Sequence, residues 1–212
     1  MLVEEIMKRE VITISRHETV QEALGKTKEY RIRHLPVVDE QGRLVGIVSD
    51  RDLRDVSPST LLQPGDIDIL KATKVEEIMK YPVLTAHPLD GVDEAARIMY
   101  EYRIGCLPVV KGDKLVGIIT ETDLLRVLVE WVGTLEPGTV LEIEVPDRPG
   151  ALAEVATAVK KHGVNMCSLL MRCGHRPNTR LITAKLQTMQ VAQIIEDIEA
   201  LGFRVLAPCR RG

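Results

Sequence analysis

The same sequence pattern occurs twice in the first part of the chain. Val3-Glu-Glu-Ile-Met-Lys8 returns as Val75-Glu-Glu-Ile-Met-Lys80, and Leu35-Pro-Val-Val38 returns as Leu107-Pro-Val-Val110. The copies are offset by 72 residues, and by 71 after a one-residue deletion near Gly112. Such a duplication predicts two similar folds that pack face to face and leave clefts between them.

Hydrophobic spacing predicts the same five elements in each copy, a strand, a helix, two strands joined by a turn, and a second helix. In repeat 1 these fall at Val11–Ile14, Val20–Thr27, Leu35–Val38, Leu44–Val48 and from Asp50 onward. In repeat 2 they fall near Val83, over Val92–Met99, at Leu107, at Leu115 and from Glu121 onward. Each repeat is therefore predicted to be a βαββα unit.

The residues after Pro137 follow a different pattern. Strands are predicted at Leu141–Val145, Val164–Met171, Arg180–Leu186 and Phe203–Leu206, and amphipathic helices at Leu152–Val159 and Val191–Leu201. The order βαββαβ is typical of a ferredoxin-like module, in which helices cover one face of an antiparallel sheet. The predicted fold class is thus α/β (α+β), with domains at residues 1–56 and 75–133, a linker at 57–74, and the third module at 139–208.

Charge and composition argue against nucleic acids and membranes as partners. Residues 1–136 carry 18 Lys and Arg against 24 Asp and Glu, a net −6, while residues 137–212 carry 10 against 7, a net +3. Aromatic residues make up 3% of the chain, so stacking platforms for bases are missing. The charged first ten residues do not resemble a secretory signal, and no apolar tract reaches the ~20 residues of a membrane span.

The cysteines indicate a reducing compartment. Cys106, Cys167, Cys173 and Cys209 form no C-x-x-C pair, and no histidine lies at zinc-finger spacing from them. We therefore expect free thiols, no metal site and a cytoplasmic location. Cys106 takes the repeat position of His34 and is expected to be packed or to line a cleft. No sequence motif for catalysis is found, so the chain is not expected to be an enzyme.

The strongest candidates for function are Gly46-Ile-Val-Ser49-Asp-Arg-Asp52 and its copy Gly117-Ile-Ile-Thr120-Glu-Thr-Asp123. Each is predicted where a strand ends and a solvent-facing helix begins. The glycine permits a close approach, the hydroxyl can bind a phosphate oxygen at the helix N-terminus, and the aspartate can accept two ribose hydroxyl groups. The alternative is that S-x-x-D and T-x-x-D simply cap helices without any ligand.

These motifs, together with the Leu-Pro-Val-Val strands, resemble a tandem pair of CBS domains over residues 1–133. The resemblance implies a sensor that binds AMP, ADP, ATP or S-adenosylmethionine between its repeats as a regulatory ligand, with no obligatory cofactor. It implies nucleotide-binding roles for Thr13, Arg33, His34, Ser49, Asp52, Thr85, Thr120 and Asp123. Repeat 2 has Gly105-Cys106 where repeat 1 has Arg33-His34, so one strong and one weak or empty site are expected.

The third module resembles an ACT domain in Val145-Pro-Asp-Arg-Pro-Gly-Ala-Leu152 and Gly163-Val-Asn165. The resemblance implies a sheet-to-sheet dimer that holds an amino or keto acid. The residues it implies as effector-binding are Asp147, Pro149, Gly150, Ala151, Leu152 and Asn165. The alternative is that D-R-P-G is only a turn and that the module assembles without a ligand.

The order CBS–CBS–ACT resembles the acetoin utilisation protein B family from end to end. This implies a homo-oligomeric, dimeric or higher, regulatory protein linked to acetoin catabolism. It would pass a small-molecule signal to a partner enzyme or regulator. Three alternatives remain open from the residues alone: a structural oligomerisation scaffold, a DNA-associated regulator without small-molecule sensing, and an enzyme acting on acetoin or a nucleotide, for which no catalytic base or metal centre is visible.

Overall fold

The computed structural model describes residues 1–56, 70–133 and 136–207, so most of the predicted 57–74 linker and Cys209 lie outside the described residues. The chain divides into two compact units, Met1–Leu124 and Leu125–Gly212. No helix in the described ranges is long and apolar enough to cross a membrane. The described cysteines, Cys106, Cys167 and Cys173, are free thiols.

Repeat 1 contains the predicted elements and one additional helical turn at its start. Its elements are α1 (Val3–Ile6), β1 (Ile14–Ser15), α2 (Val20–Tyr30), β2 (His34–Val38), β3 (Leu44–Ser49) and α3 (Asp50–Asp55). Strand β1 runs parallel to β2, and β2 runs antiparallel to β3. The predicted stripe of α2 is confirmed, since Val20, Ala23 and Thr27 are buried, while Thr19 caps the helix by accepting from the Glu22 N–H.

Repeat 2 follows the same order. It has a 3₁₀ turn (Val75–Glu77), α4 (Val92–Tyr102), β4 (Cys106–Lys111), β5 (Lys114–Thr120) and α5 (Glu121–Trp131). Strands β4 and β5 pair antiparallel, and Val92, Ala95 and Met99 form the buried side of α4 as predicted. The second helical stripe therefore repeats the first at the level of packing.

The first strand of each repeat is much shorter than predicted. In place of a strand at Val11–Ile14, only Ile14 and Ser15 pair with β2, and in place of a strand near Val83 a single bridge joins Ala86 to Val109. The cause is the path of two segments, residues 7–13 and 79–85, which we term the crossing segments. Each crossing segment begins paired with a strand of the other repeat and ends beside a strand of its own repeat. The residues in the middle of the segment therefore pair with neither strand.

The second unit contains the predicted βαββαβ order in β6 (Thr139–Pro146), α6 (Ala151–Lys161), β7 (Met166–Cys173), β8 (Thr179–Leu186), α7 (Ala192–Ala200) and β9 (Arg204–Ala207). The antiparallel sheet has the order β7-β8-β6-β9. One face of β6 and β8 packs on both helices through residues such as Ile143, Ile182 and Ile198. Strand β7, the second strand of this unit, begins at Met166, two residues later than predicted, and extends to Cys173.

Candidate functional site

The two crossing segments exchange backbone hydrogen bonds with the opposite repeat. The Lys8 N–H donates to the Ile118 carbonyl at 2.9 Å, and the Ile118 N–H returns a bond of 2.9 Å. In the second copy, Ile47 and Lys80 exchange bonds of 3.1 and 2.9 Å. Each repeat therefore places one lysine directly beside the last strand of the other repeat.

The glycines of the two candidate motifs lie against side chains of this protein and do not border an open cleft. A Cβ atom on Gly46 would lie 2.6 Å from the sulfur of Met79, and one on Gly117 would lie 2.6 Å from the sulfur of Met7. Both methionines belong to the crossing segment of the other repeat. The close approach that the sequence predicted at these glycines is made by a methionine side chain, which leaves no room for a larger residue.

Each candidate aspartate uses one carboxylate oxygen to close a helix cap. Asp52 Oδ2 accepts the Ser49 N–H at 2.8 Å and the Ser49 hydroxyl at 2.5 Å. Asp123 Oδ2 accepts the Thr120 N–H at 3.0 Å and the Thr120 hydroxyl at 2.6 Å. The capping arrangement is therefore present in both copies. It occupies Oδ2 and leaves Oδ1 to face other groups.

The expectation that both aspartates are solvent-facing is wrong. Asp123 is 4% exposed, and the side chain of Asp52 is 12% exposed. A lysine of the opposite crossing segment lies beside each Oδ1 atom: Lys80 Nζ is 2.6 Å from Asp52, and Lys8 Nζ is 4.0 Å from Asp123. Burial raises the pKa of Asp52, but hydrogen bonds from Lys80 and Ser49 outweigh it and hold the pKa below its ordinary value.

A cleft of about 290 Å³ opens between the repeats, next to the Thr120 cap. Its lining combines a cationic rim with an apolar wall and consists of Lys8, Glu10, Val11, Ile12, Arg31, Ile32, Arg33, His34, Gly105, Ile118, Thr120 and Thr122. This volume is near the lower end for small-molecule sites. Of the predicted nucleotide-binding residues, all of which lie in described ranges, Arg33, His34 and Thr120 line it, while Thr13, Ser49, Asp52, Thr85 and Asp123 do not.

The side chain of His34 explains the sequence difference between the repeats. A Cβ atom on Gly105 would lie 3.0 Å from His34 Cε1, so the absence of a side chain in repeat 2 makes room for the imidazole of repeat 1. Burial and the neighbouring Arg33 charge lower the pKa of His34, against the opposing effect of Glu121. At neutral pH the ring is therefore uncharged, and Arg33 supplies the positive charge.

Cys106 is packed, as the sequence predicted. It is 5% exposed, and burial together with the Glu121 charge raises the pKa of its thiol to about 12. Such a thiol does not form a thiolate at neutral pH and is a poor nucleophile.

The predicted effector turn of the second unit is held by two ion pairs. Arg180 Nε lies 3.1 Å from Asp147 Oδ1, and Arg148 donates to both oxygens of Glu154 at 2.7 and 2.9 Å. Gly150 has a φ of 90°, a conformation that favours glycine, and starts helix α6. Pro149, Leu152 and Asn165 are exposed, whereas Ala151 is buried and can offer a ligand little more than its backbone.

Sequence reasoning missed Lys8, Lys80, Val11, Ile12 and Thr122. A signal for the lysines was available, because Lys8 and Lys80 end the two copies of the Val-Glu-Glu-Ile-Met-Lys motif. The lysines lie beside the aspartates because the chain crosses between the repeats, and the repeat pattern in the sequence does not reveal this crossing.

Comparison with family models matches the CBS domain at residues 3–59 and 75–130 and the ACT domain at residues 139–203. The chain belongs to the CBS-domain family. Its CBS pair is followed by an ACT domain, and both are regulatory modules. A CBS domain-containing protein of Dictyostelium discoideum is 37% identical over 65% of this chain and 97% of its own length. An inosine-5'-monophosphate dehydrogenase of Methanocaldococcus jannaschii is 35% identical, but the match spans 23% of its length.

Solved structures resemble the CBS pair. A protein assigned as the acetoin utilization protein AcuB of Vibrio cholerae is 36% identical, with a TM-score of 0.54 over 65% of this chain and 98% of its own. The CBS domain pair of protein MJ0100, in complex with 5'-methylthioadenosine and S-adenosyl-L-methionine, is 33% identical, with a TM-score of 0.52 over 60% and 95%. The CBSX2 protein in complex with AMP is 28% identical, with a TM-score of 0.53 over 60% and 96%.

Proposed function

We propose that this protein is a metabolite-sensing regulator that binds an adenine nucleotide or S-adenosylmethionine between its CBS repeats. The observation that carries the proposal is the paired carboxylate geometry. Asp52 and Asp123 are held by their own helix caps through Oδ2, which leaves Oδ1 outside the cap in each; that atom faces Lys80 at 2.6 Å in Asp52 and Lys8 at 4.0 Å in Asp123. A carboxylate fixed in this way is suited to accept hydrogen bonds from ribose hydroxyl groups.

The space between the repeats has two halves, which we name after the aspartate that each lies nearer to. The 290 Å³ cleft beside the Thr120 cap belongs to the Asp123 half and offers complementary chemistry for the rest of such a ligand. Val11, Ile12 and Ile118 provide an apolar wall for a purine ring. Arg33 provides a permanent positive charge for phosphate, and His34 adds a ring nitrogen. For Ser49 and Thr120 we propose contacts near the phosphates, and for Thr13 and Thr85 contacts elsewhere on the ligand; of these four, Thr120 lines the cleft. The relatives bound to AMP and to S-adenosyl-L-methionine support this ligand class.

For the ACT domain we propose a small amino or keto acid as effector, bound around Asp147, Pro149, Gly150, Leu152 and Asn165. An anionic effector could exchange partners with Arg180 or Arg148, which already bind carboxylates of this chain.

The likeness to the Vibrio cholerae protein supports a link to acetoin utilisation. We further propose a cytoplasmic homo-oligomer without catalytic activity that acts on a partner enzyme or regulator, with module limits at 1–56, 75–133 and 139–208.

The capping geometry also supports a second candidate function. Ser49–Asp52 and Thr120–Asp123 each form a complete helix cap, and a cap stabilises a helix without any ligand. If no metabolite binds, the chain would act as an oligomerisation scaffold. The acidic first part of the chain weighs against the DNA-associated alternative.

A thermal-unfolding panel with AMP, ADP, ATP and S-adenosylmethionine tests the proposal. A ligand at one hundred times its Kd should raise the free energy of unfolding by about 2.7 kcal/mol. Asp52→Asn/Asp123→Asn removes both charges but keeps an oxygen for each cap, so it should unfold normally and lose the ligand response. Asp55→Asn, an exposed position on α3, is the matched control. Wild-type affinity in the double variant, or no wild-type response to millimolar ligand, would favour the scaffold.

A further inference from the structure

The two Lys–Asp pairs between the repeats are equivalent in sequence but differ in length. Lys80 and Asp52 correspond to Lys8 and Asp123 at the repeat offsets. Lys80 Nζ contacts Asp52 Oδ1 at 2.6 Å, a direct ion pair with a hydrogen bond, whereas Lys8 Nζ is 4.0 Å from Asp123 Oδ1. At 2.6 Å the ammonium group donates directly to the carboxylate oxygen, whereas at 4.0 Å it lies beyond hydrogen-bond distance and leaves that acceptor position unused.

Each lysine reaches across from the opposite repeat, and its backbone is fixed there. Lys80 is bridged to Ile47, three residues before Asp50, and Lys8 is bridged to Ile118 at the corresponding place. The side chains themselves are 67% and 60% exposed. A displaced ammonium group therefore remains in water, so displacement does not bury an unpaired ammonium charge.

Because Oδ2 of each aspartate is engaged by the cap, Oδ1 is the atom that a ribose hydroxyl must use. In the Asp52 half, that atom already accepts a charge-assisted hydrogen bond. We propose that Lys80 is an intramolecular competitor for the ligand at Asp52, so that the Asp123 half of the cleft fills first. This inference rests on the proposed adenosyl-binding function and assigns a regulatory residue to that site.

If Lys80 competes with the ligand, replacing it should have the opposite effect on ligand affinity from replacing a lysine that binds the ligand. Removal of a competitor tightens binding, and removal of a phosphate ligand weakens it. Adenosine, which has no phosphate, reports the competition alone, and AMP reports both effects together. The two ligands therefore distinguish a competitor from a phosphate contact.

Calorimetric titration with adenosine and AMP in single-site backgrounds tests the inference. Asp123→Asn isolates the Asp52 half, into which Lys80→Met is introduced; Asp52→Asn isolates the other half, into which Lys8→Met is introduced. We expect Lys80→Met to tighten adenosine about two- to fivefold, the range for a partly exposed ion pair, and Lys8→Met to have a smaller effect. Lys28→Met, an exposed lysine on α2 outside the lining of the cleft, controls for lost charge.

Ionic strength supplies a second readout. Salt weakens the Lys80–Asp52 pair, so adenosine binding to the Asp52 half should tighten as salt rises, and Lys80→Met should remove that dependence. Unchanged or weaker adenosine binding in Lys80→Met would overturn the inference, as would an Asp52 half that binds nothing with or without Lys80. Failure of the wild type to bind any adenosyl compound is a different result, because it would overturn the proposed function itself.

Discussion

The two CBS repeats are built by the same local rules but differ at the cleft. Both have a hydroxyl–aspartate cap, a glycine packed on a methionine of the other repeat, and a crossing lysine beside the aspartate. They differ in that Asp52 is held by its lysine at 2.6 Å while Asp123 is 4.0 Å from its own. The duplicated sequence thus gives both repeats the same local structure, and the contacts between the repeats make the two candidate sites unequal.

The second difference is the exchange of Arg33-His34 for Gly105-Cys106. Gly105 leaves space for the His34 ring, and Cys106 is a buried, unreactive thiol. Repeat 1 therefore supplies the cationic groups, and repeat 2 supplies the space. Under the proposed function, this arrangement predicts one phosphate-binding region for the pair, in place of one per repeat.

The largest change in ligand affinity that would distinguish the two repeats is expected from single aspartate variants. Asp123→Asn should weaken adenosine at least tenfold, because hydrogen bonds to a charged acceptor contribute about 1.5–3 kcal/mol each. Asp52→Asn should cost less, since Lys80 already occupies that oxygen in the free protein. Calorimetry on both variants measures the difference, and equal losses would contradict the proposed inequality.

A smaller effect is expected from the charge that repeat 1 alone supplies. Arg33→Ala should weaken AMP several-fold while leaving adenosine nearly unchanged, because a guanidinium contributes mainly to phosphate binding. Arg51→Ala, an exposed arginine on α3, offers a control of equal charge. A parallel loss of adenosine affinity would assign Arg33 to the shape of the cleft instead.

The smallest expected effect is the pH response of His34. Its pKa lies below the ordinary 6.5 in the folded state, so the native state binds fewer protons than the unfolded chain. The stability that this provides is present above pH 6.5 and is lost as the pH falls through the lowered pKa. Thermal unfolding should show this loss as the pH falls below about 6.5. AMP should reduce the loss by favouring the charged ring, and His34→Gln should flatten it. An unchanged pH profile in His34→Gln would rule out the ring as its source.

Residues that act through their neighbours in sequence were predictable. The spacing of Val20, Ala23 and Thr27 predicted the buried side of α2, and S-x-x-D and T-x-x-D predicted two caps that the structure contains. Hydrophobic periodicity and capping depend on residues three or four positions apart, so they can be predicted without knowledge of the tertiary fold. The βαββαβ order of the ACT domain was predictable on the same basis.

Tertiary structure decided what depends on residues distant in sequence. The pattern at Val11–Ile14 fits a strand, but the chain passes from one repeat to the other there, so only Ile14 and Ser15 pair with β2. The same crossing buries Asp52 and Asp123 and brings Lys80 and Lys8 to them at unequal distances. Distances of this kind are set by the contacts of the two repeats with each other. The sequence determined which groups the candidate sites contain, and the packing between the repeats determined which of those groups are free to bind.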